Sequence, residues 1–197
     1  MARPSKELAA DTVDRLLEGA EGLFALNGLK ATRLEDVAKF AGISRPSLLY
    51  HFSSKDRLYE AVVTRIFDAL AMSLGGAMTG QGDFEAQLYN VVSGFSAFLA
   101  DRPDAAAILL REVISSEGPG RRRLVELGGP MIDEIENWVS ASGRVRPEVS
   151  VRSLLMHIVS DTLLRNGTGE LKTLFWKSVE EPASWSLVKA MLLTKDT

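Results

Sequence analysis

The chain has 197 residues, of which 46% are hydrophobic and 25% are charged, and its formal net charge is −3. This length and apolar content suffice for one or two small domains with a sizeable core. The absence of cysteine excludes disulfide bonds, thiol catalysis and cysteine-based zinc sites, and two histidines are too few for a histidine-rich metal site. We find no run of about 18 apolar residues and no signal-peptide pattern, so we expect no membrane association and a cytoplasmic location.

The net negative charge conceals a basic segment near the N-terminus. Six basic and three acidic side chains lie between Lys30 and Arg57, a net charge of +3, which leaves −6 for the remainder. A basic patch on an acidic body is compatible with specific DNA binding, although charged runs on helices are commonly only solvated faces. Arg3 and Lys6, ahead of this segment, fit either a minor-groove arm or a disordered end.

The N-terminal segment predicts two helices. Apolar residues recur at helical spacing from about residue 9 to residue 27, and Gly28 predicts the end of this first helix. A short second helix is predicted from about Leu34 to Ala41. Thr32 is expected to cap it, with Glu35 three residues later as the reciprocal partner of a capping box.

A sharp turn and a third short helix follow. Gly42 stands where such a turn needs a positive φ, and Ser44 is placed to accept a hydrogen bond from a free backbone N–H as an N-cap. A helix of about seven residues should therefore start at Arg45. Pro46 is tolerated in its first turn, because the N–H that proline lacks would have no partner there.

The fourth predicted helix is longer than a three-helix domain needs. It should begin at about Lys55, after a second serine cap, and run to about Leu74. Its far half is expected to dock on the remainder of the chain and so to link two domains. Gly75-Gly76 and the glycines of residues 79–82 predict a break and a mobile loop.

The run from Ala41 to Leu58, A-G-I-S-x-x-x-L-L-Y-H-F-x-S-K-x-x-L, resembles the N-terminal domain of TetR-type transcriptional regulators, and it is accompanied upstream by Thr32, Leu34, Val37 and Ala38. The resemblance covers roughly Thr12 to Tyr59. Leu49 stands where family members usually carry a tyrosine, so Tyr50 is the expected phosphate-contacting hydroxyl. The resemblance implies an all-α chain with a three-helix helix-turn-helix domain (1–56), joined by helix 4 to an α-helical effector-binding and dimerisation domain (57–197).

The resemblance and the outward faces of these helices together give the candidate DNA-contacting residues: Thr32, Arg33, Arg45, Pro46, Ser47, Tyr50, His51 and Lys55. Arg45 fits a guanine edge or a phosphate, and Ser47 fits a base edge or the backbone. Tyr50, His51 and Lys55 resemble phosphate contacts. The alternatives are packing at the core rim for Tyr50 and a neutral structural role for His51. Lys55 opposes the dipole of helix 4 unless an anion is near, which favours phosphate.

Helical periodicity continues beyond residue 83, and the predicted helices cover residues 84–100, 103–116, 121–141, 147–165 and 183–193. Proline and glycine at residues 128–130 should kink or restart the third of these. The helix at 147–165 is apolar nearly all round, which predicts burial on more than one side. The resemblance implies that this helix and the last one pair with their copies in a homodimer. Residues 171–176 could cap a pocket, lean on the partner or form a short helix.

The resemblance also implies a small-molecule effector pocket among the C-terminal helices. Its candidate liners are Phe67, Leu70, Tyr89, Phe95, Phe98, Leu109, Arg111, Trp138, Met156 and His157. The apolar members equally fit ordinary core positions. Their character favours a hydrophobic effector, and Arg111 would be the polar anchor if the ligand were an acid.

No catalytic constellation is present in the sequence, because a nucleophile needs a base that a third group holds in place. His157 and Asp161 lie four residues apart on one helix face, and they are better explained as a hydrogen-bonded pair than as a metal site without a third ligand. We expect no enzyme activity, no cofactor and no metal. The prediction is a homodimeric DNA-binding regulator, a repressor released from a roughly palindromic operator by a hydrophobic ligand. The alternatives are a ligand-independent DNA-binding dimer and a small all-helical enzyme or sensor.

Overall fold

The structure, a computed structural model, describes residues 6–176 and 183–191. These residues form ten α-helices, which confirms the all-α prediction: α1 Lys6–Ala31, α2 Leu34–Phe40, α3 Arg45–His51, α4 Lys55–Met78, α5 Phe84–Asp101, α6 Pro103–Ile114, α7 Pro119–Ala141, α8 Val151–Gly167, α9 Leu171–Phe175 and α10 Ala183–Met191. The last residues of the predicted final helix, 192 and 193, lie outside the described part of the chain, as does Arg3.

The first three helices enclose a small core of their own. Leu16, Ala20 and Phe24 are fully buried along one face of α1, and Leu48 of α3 is fully buried beneath them. The predicted end of the first helix is confirmed, because Gly28 leaves the helical conformation at φ 76° and ψ 168°. The spacing of apolar residues therefore predicts correctly which faces of these helices are buried.

The turn between α2 and α3 follows the local signals of the sequence. Gly42 has φ 70°, a conformation that a side chain disfavours, and an added Cβ would lie 2.9 Å from the Arg15 guanidinium. The hydroxyl of Ser44 accepts a hydrogen bond from the backbone N–H of Ser47 at 3.3 Å. The predicted cap and the start of α3 at Arg45 are thus confirmed.

The predicted capping box at α2 is wrong. The N-cap residue is Arg33, which makes no side-chain capping hydrogen bond. The Thr32 hydroxyl instead donates to the carbonyl oxygens of Leu23 at 3.0 Å and Gly28 at 2.8 Å. These carbonyls lie near the end of α1, and the Gly28 carbonyl also accepts from the Thr32 backbone N–H at 3.3 Å, so the buried side chain of Thr32 is bonded to α1 and does not cap α2.

Helix α4 continues past the predicted break. It runs to Met78 and includes Gly75 and Gly76, and the mobile segment expected at these two residues is therefore helical. The helix ends where the Thr79 N–H and hydroxyl both bond to the Gly75 carbonyl. Glycine costs an exposed helix about 1 kcal/mol relative to alanine, which the packing of the neighbouring turns offsets.

One described helix, α4, is long and apolar enough to cross a membrane by length and composition alone. This corrects the expectation that no stretch passes that test. A single such helix is weak support for a membrane span, since a core helix has the same composition. Eight of its residues are buried, and it packs against α1, α5 and α7.

The remaining helices build a second core around the far half of α4. Helix α5 lies against α4, α8 lies against α6, and α7 crosses both α4 and α8. Pro130 lies within α7, which runs as one helix from Pro119 to Ala141 rather than as two. The ambiguous segment forms the short helix α9, whose Leu171, Leu174 and Phe175 are exposed.

The two cores are joined by a buried polar contact. The Tyr59 hydroxyl of α4 donates to the Glu112 carboxylate of α6 at 2.6 Å, and the Tyr59 ring meets Phe24 of α1 edge-on at 4.8 Å. Gly120 of α7 covers the contact so closely that an added Cβ would lie 2.4 Å from the tyrosine ring. Helices α4, α6 and α7 of the second core and α1 of the first therefore meet at this point.

Tyr59→Phe should destabilise the fold by about 1 to 3 kcal/mol, because it leaves a buried carboxylate oxygen without its donor. Chemical unfolding in urea measures the change. Tyr50→Phe is the matched control, since Tyr50 is 85% exposed and should change little. Equal unfolding midpoints for Tyr59→Phe and the unmodified chain would contradict this role.

Burial, aided by the hydrogen bond to Glu112, raises the pKa of Tyr59 well above its ordinary range. The folded state therefore keeps this proton where the unfolded state releases it, near pH 10. The stabilisation is present below that pH and should be lost as the pH rises further. Unfolding measured from pH 8 to 11 should show a steeper loss for the unmodified chain than for Tyr59→Phe.

Candidate functional site

Helix α3 presents a polar face that the rest of the chain leaves open. Leu48 is fully buried, whereas Tyr50 is 85% exposed. Arg45 and Pro46 are also exposed, and Ser47 is partly exposed, with its backbone N–H bonded to the Ser44 hydroxyl. A short helix with such a face and a rigid turn before it has the geometry that enters a DNA major groove.

Arg45 is held by an ion pair on this surface. Its Nε lies 2.9 Å from the Glu35 carboxylate of α2, and both side chains are more than half exposed. Exposed pairs of this kind contribute little to stability, so Arg45 is free to exchange its partner for a phosphate or a guanine edge. Glu35 meanwhile lowers the local positive charge.

Lys55 lies at the start of α4 but bonds to the loop that follows α1. Its ammonium donates to the backbone carbonyls of Lys30 at 2.9 Å and Thr32 at 3.1 Å. These carbonyls are near the negative end of the α1 dipole, which favours a cation. The unfavourable position at the α4 N-terminus is thus compensated within the chain, and a phosphate is not needed to explain it.

The remaining candidate residues surround α3. Arg33 is exposed at the start of α2, and His51 is partly buried with its ring edge-on to Tyr50 at 5.7 Å. Thr32 is 3% exposed, so its side chain does not reach the surface. Lys6 is the first residue of α1. Arg45, Pro46, Ser47, Tyr50 and His51 thus share the short helix α3, while Arg33 precedes α2 and Lys55 begins α4.

A cavity of about 370 Å³ lies between α4, α5, α6, α7 and α8. Five predicted residues line it: Phe67, Leu70, Phe95, Leu109 and Met156. The volume is within the range of small-molecule pockets. Met156, one of these residues, is 45% exposed.

Five predicted ligand residues do not line this cavity. Tyr89 packs edge-on against Trp185, the Arg102 guanidinium lies over the Phe98 ring, and Trp138 meets Phe84. The other two are Arg111 and His157. We expected aromatic residues at helical spacing to face the cavity, but these three pack against side chains that do not line it.

Arg111 has a different task from the expected ligand anchor. Its guanidinium donates to the backbone carbonyls of Phe24 at 2.7 Å and Ala25 at 3.0 Å, in the last helical turn of α1. Free carbonyls at a helix C-terminus attract a cation, so the side chain is directed toward the first domain and away from the cavity. Arg102 adds a second link from α6, through a 3.0 Å ion pair with Glu21.

The expected pair of His157 and Asp161 is not formed. Asp161 accepts hydrogen bonds from Arg165 at 3.0 Å and from the Trp176 indole at 3.1 Å, and His157 is exposed. A guanidinium one turn further along the helix and an indole N–H are available donors, and they occupy both oxygens. Within the described residues, no group of three or more His, Cys, Asp or Glu side chains is placed to hold a metal ion.

The sequence reading missed one charged residue that lines the cavity. Arg152 lies four residues before the predicted liner Met156, so helical spacing placed both on one face. Gly128 and Gly129 also line the cavity. They were read as a helix break, although glycine without a side chain equally leaves space for a ligand.

The matches to known proteins concentrate on the first domain. The profile of the family described as "Bacterial regulatory proteins, tetR family" matches residues 16–62, which contain α2, α3 and the buried face of α1. The N-terminal domain belongs to the TetR family.

Relatives of this TetR-family domain are named as transcriptional regulators or repressors. The HTH-type transcriptional repressor KstR2 of Mycolicibacterium smegmatis is 41% identical over 70 residues, 36% of this chain and 34% of that protein. The HTH-type transcriptional regulator RutR of Escherichia coli (strain K12) is 45% identical over 53 residues, 27% of this chain and 25% of RutR. The matches thus span about a third or less of each relative's length.

Outside the TetR-family domain, the likeness is one of fold. AibR, solved in complex with isovaleryl coenzyme A and operator DNA, superimposes with a TM-score of 0.73 at 16% identity, over 91% of this chain and 97% of AibR. The arrangement of the described helices therefore follows that of AibR, although few residues are identical.

Lys55→Met should lower the stability of the first domain by about 1 kcal/mol, because two carbonyls lose a charged donor while the apolar stem is kept. Urea unfolding measures it. Lys39→Met is the control, since Lys39 is an exposed lysine of α2. If both variants unfold at the same urea concentration, Lys55 does not fasten the α1–α2 loop.

Proposed function

We propose that this protein is a sequence-specific transcription regulator that binds operator DNA as a homodimer and is released from it by a small apolar ligand. The observation that carries the proposal is the exposed polar face of α3, capped by Ser44, within the segment that matches the TetR family. KstR2, a relative over that segment, is named a repressor, which favours repression as the sign of control. The protein acts in the cytoplasm, where its DNA is.

The DNA contact divides into two parts. Arg45 and Ser47 face the bases from the first turn of α3, while Tyr50, His51 and Arg33 approach the phosphates on either side. A two-fold dimer must place its two α3 helices about 34 to 36 Å apart, or at a multiple of that distance, so that each enters a major groove on the same side of the duplex.

The dimer forms through α8 and α10. Met156 and Leu164 of α8 are 45% and 43% exposed, and Leu187 and Met191 of α10 are 40% and 45% exposed. Large apolar side chains in one continuous surface are the usual mark of a partner contact. A second copy would cover these residues through a four-helix contact around the two-fold axis.

Two helices connect the cavity to the DNA-binding domain. Helix α4 lines the cavity with Phe67 and Leu70 and carries Tyr59 closer to its N-terminus. Helix α6 lines it with Leu109, and the adjacent Arg111 holds the end of α1. A ligand that binds one arrangement of α4 and α6 more tightly than another shifts the equilibrium toward that arrangement. The difference in affinity sets the size of the shift, and the two arrangements place the α3 helices at different separations. A cavity of this size favours this reading over a ligand-independent dimer.

Tyr50→Ala should weaken operator binding by about tenfold or more without changing the unfolding midpoint, because it removes an exposed contact and no core packing. The operator is first selected from random duplexes with the unmodified protein, and affinity is then measured by gel shift. Glu35→Gln should have the opposite effect, since it releases Arg45 and removes a negative charge beside the phosphates.

Met72→Ala is the control for this pair of variants, because Met72 of α4 is 81% exposed and lies outside α3, α8 and α10. Unchanged affinity in Tyr50→Ala, or a selection that yields no enriched duplex, would overturn the proposed DNA contact.

Leu164→Glu should convert the dimer to a monomer at micromolar concentration, because it places a charge in the apolar contact. Sedimentation measures the mass. Leu26→Glu is the matched control, since Leu26 of α1 is 79% exposed and lies outside α8 and α10. A dimer that persists in Leu164→Glu, or one that both variants lose, would contradict the assigned interface.

A further inference from the structure

We infer that the cavity selects neutral apolar molecules and rejects anions, so that the effector carries no ionised group into the site. This inference rests on the proposed ligand response but makes a narrower claim about charge. The claim concerns the chemical class of molecule that the second domain binds. The family match covers only the first domain, so it does not indicate that class.

The lining offers almost nothing to a charged ligand. Of the 21 described residues that line the cavity, 20 are apolar side chains or glycine, and Arg152 is the one with a charge. All of them lie on helices, where most backbone N–H groups are already bonded. An anion moved into such a site loses its water without gaining donors, which is strongly unfavourable.

Arg152 does not compensate for this, because its charge is already neutralised. Its Nε donates to the Glu136 carboxylate at 2.7 Å, and its Nη2 bonds to the Asp133 carboxylate. Two carboxylates around one guanidinium leave a local charge of about −1 at the cavity rim. These side chains are partly exposed, so the donors of Arg152 could exchange partners, but the net charge of the cluster stays negative and repels an approaching anion.

No other described cation replaces Arg152 at the cavity. Arg111, the anchor expected for an acid, is bound to the carbonyls of α1. Lys189 of α10 pairs with Glu85 at 2.7 Å, and Arg165 of α8 pairs with Asp161 at 3.0 Å. These three basic side chains are thus paired elsewhere, and none of them lines the cavity.

The size of the cavity limits the ligand further. A dry apolar cavity of about 150 Å³ takes one benzene molecule. A volume of about 370 Å³ therefore suits a molecule with two or three rings or an aliphatic body of similar bulk. Isovaleryl coenzyme A, the ligand bound to AibR, is anionic, so this chain should differ from AibR in the ligand that it accepts.

A matched pair of fluorescent probes tests the inference on the full-length dimer. N-phenyl-1-naphthylamine is neutral, and 1-anilinonaphthalene-8-sulfonate has the same ring framework with one sulfonate. We expect saturable binding of the neutral probe and at least tenfold weaker binding of the sulfonate. Equal affinity, or tighter binding of the sulfonate, would overturn the inference.

Two glycine variants assign the probe to the cavity. Gly128 lines it, and an added Cβ there would lie 3.4 Å from the ring of Phe67, which also lines the cavity, so Gly128→Leu should fill space beside that ring and abolish binding of the neutral probe. Gly76→Leu is the control, because Gly76 is a helical glycine that lies outside the lining. Leucine is favoured over glycine in a helix, so both variants should fold. Binding that survives Gly128→Leu would overturn the assignment of the probe to the cavity and with it the inference.

A charge variant tests the cause of the selectivity. Asp133→Asn with Glu136→Gln frees Arg152 and changes the local charge from about −1 to about +1. The sulfonate probe should then bind at least tenfold more tightly, while the neutral probe is unchanged, and adding Arg152→Met should cancel the gain. No gain in the double variant would overturn the explanation by charge.

Gel shift on the same preparations separates this inference from the proposed function. Operator binding that persists while neither probe binds at saturating concentration overturns the ligand inference and leaves the DNA-binding role standing. Loss of operator selection with normal probe binding would overturn the DNA-binding role and leave the ligand inference standing.

Discussion

The buried hydrogen bond between Tyr59 and Glu112 fixes how α4 packs against α6. It joins α4, which begins just after α3, to α6, which lines the cavity, and Phe24 of α1 packs against the same ring. A buried carboxylate is costly unless its partners are in place, so this contact favours the observed alignment of α1, α4 and α6. The position of α3 relative to the cavity follows from that alignment.

Three basic side chains bond to α1 or to the loop after it and do not line the cavity. Lys55 and Arg111 both bond to carbonyls near the end of α1, and Arg102 pairs with Glu21 in the same helix. The C-terminal end of a helix has free acceptors and a partial negative charge, which make it an effective site for a cation. As a result α1 is held from two sides, by α4 and by α6, and movement of either helix is transmitted to it.

Local signals in the sequence predicted the first domain well. The cap at Ser44, the positive φ at Gly42 and the helical exit at Gly28 each depend on residues within one turn, so they are readable from the chain alone. The partners of Lys55 and Arg111 are 25 and 87 residues away, and no local pattern identifies them. Tyr89 and Met156 both fit the apolar spacing of their helices. Which of them faces the cavity depends on how each helix is rotated about its axis, and the sequence does not give that rotation.

The sequence alone predicted the helices and the cavity of the second domain less well than it predicted the first domain. Gly75, Gly76 and Pro130 are residues that commonly end helices, yet α4 and α7 continue through them because neighbouring turns are held by packing. The charge of the cavity likewise depends on Asp133 and Glu136 reaching Arg152 from another helix. Composition suggests an apolar ligand, but the cancellation of the one lining charge is a property of the folded arrangement.

The unbroken length of α4 has a mechanical consequence. A helix of 24 residues is about 36 Å long, and its far half touches the cavity while its first residue holds the loop ahead of α2. A tilt of about 5° about the far end would move the near end by about 3 Å, the span of one hydrogen bond. A small tilt of α4 where it lines the cavity would therefore displace the segment next to α3 by a larger distance.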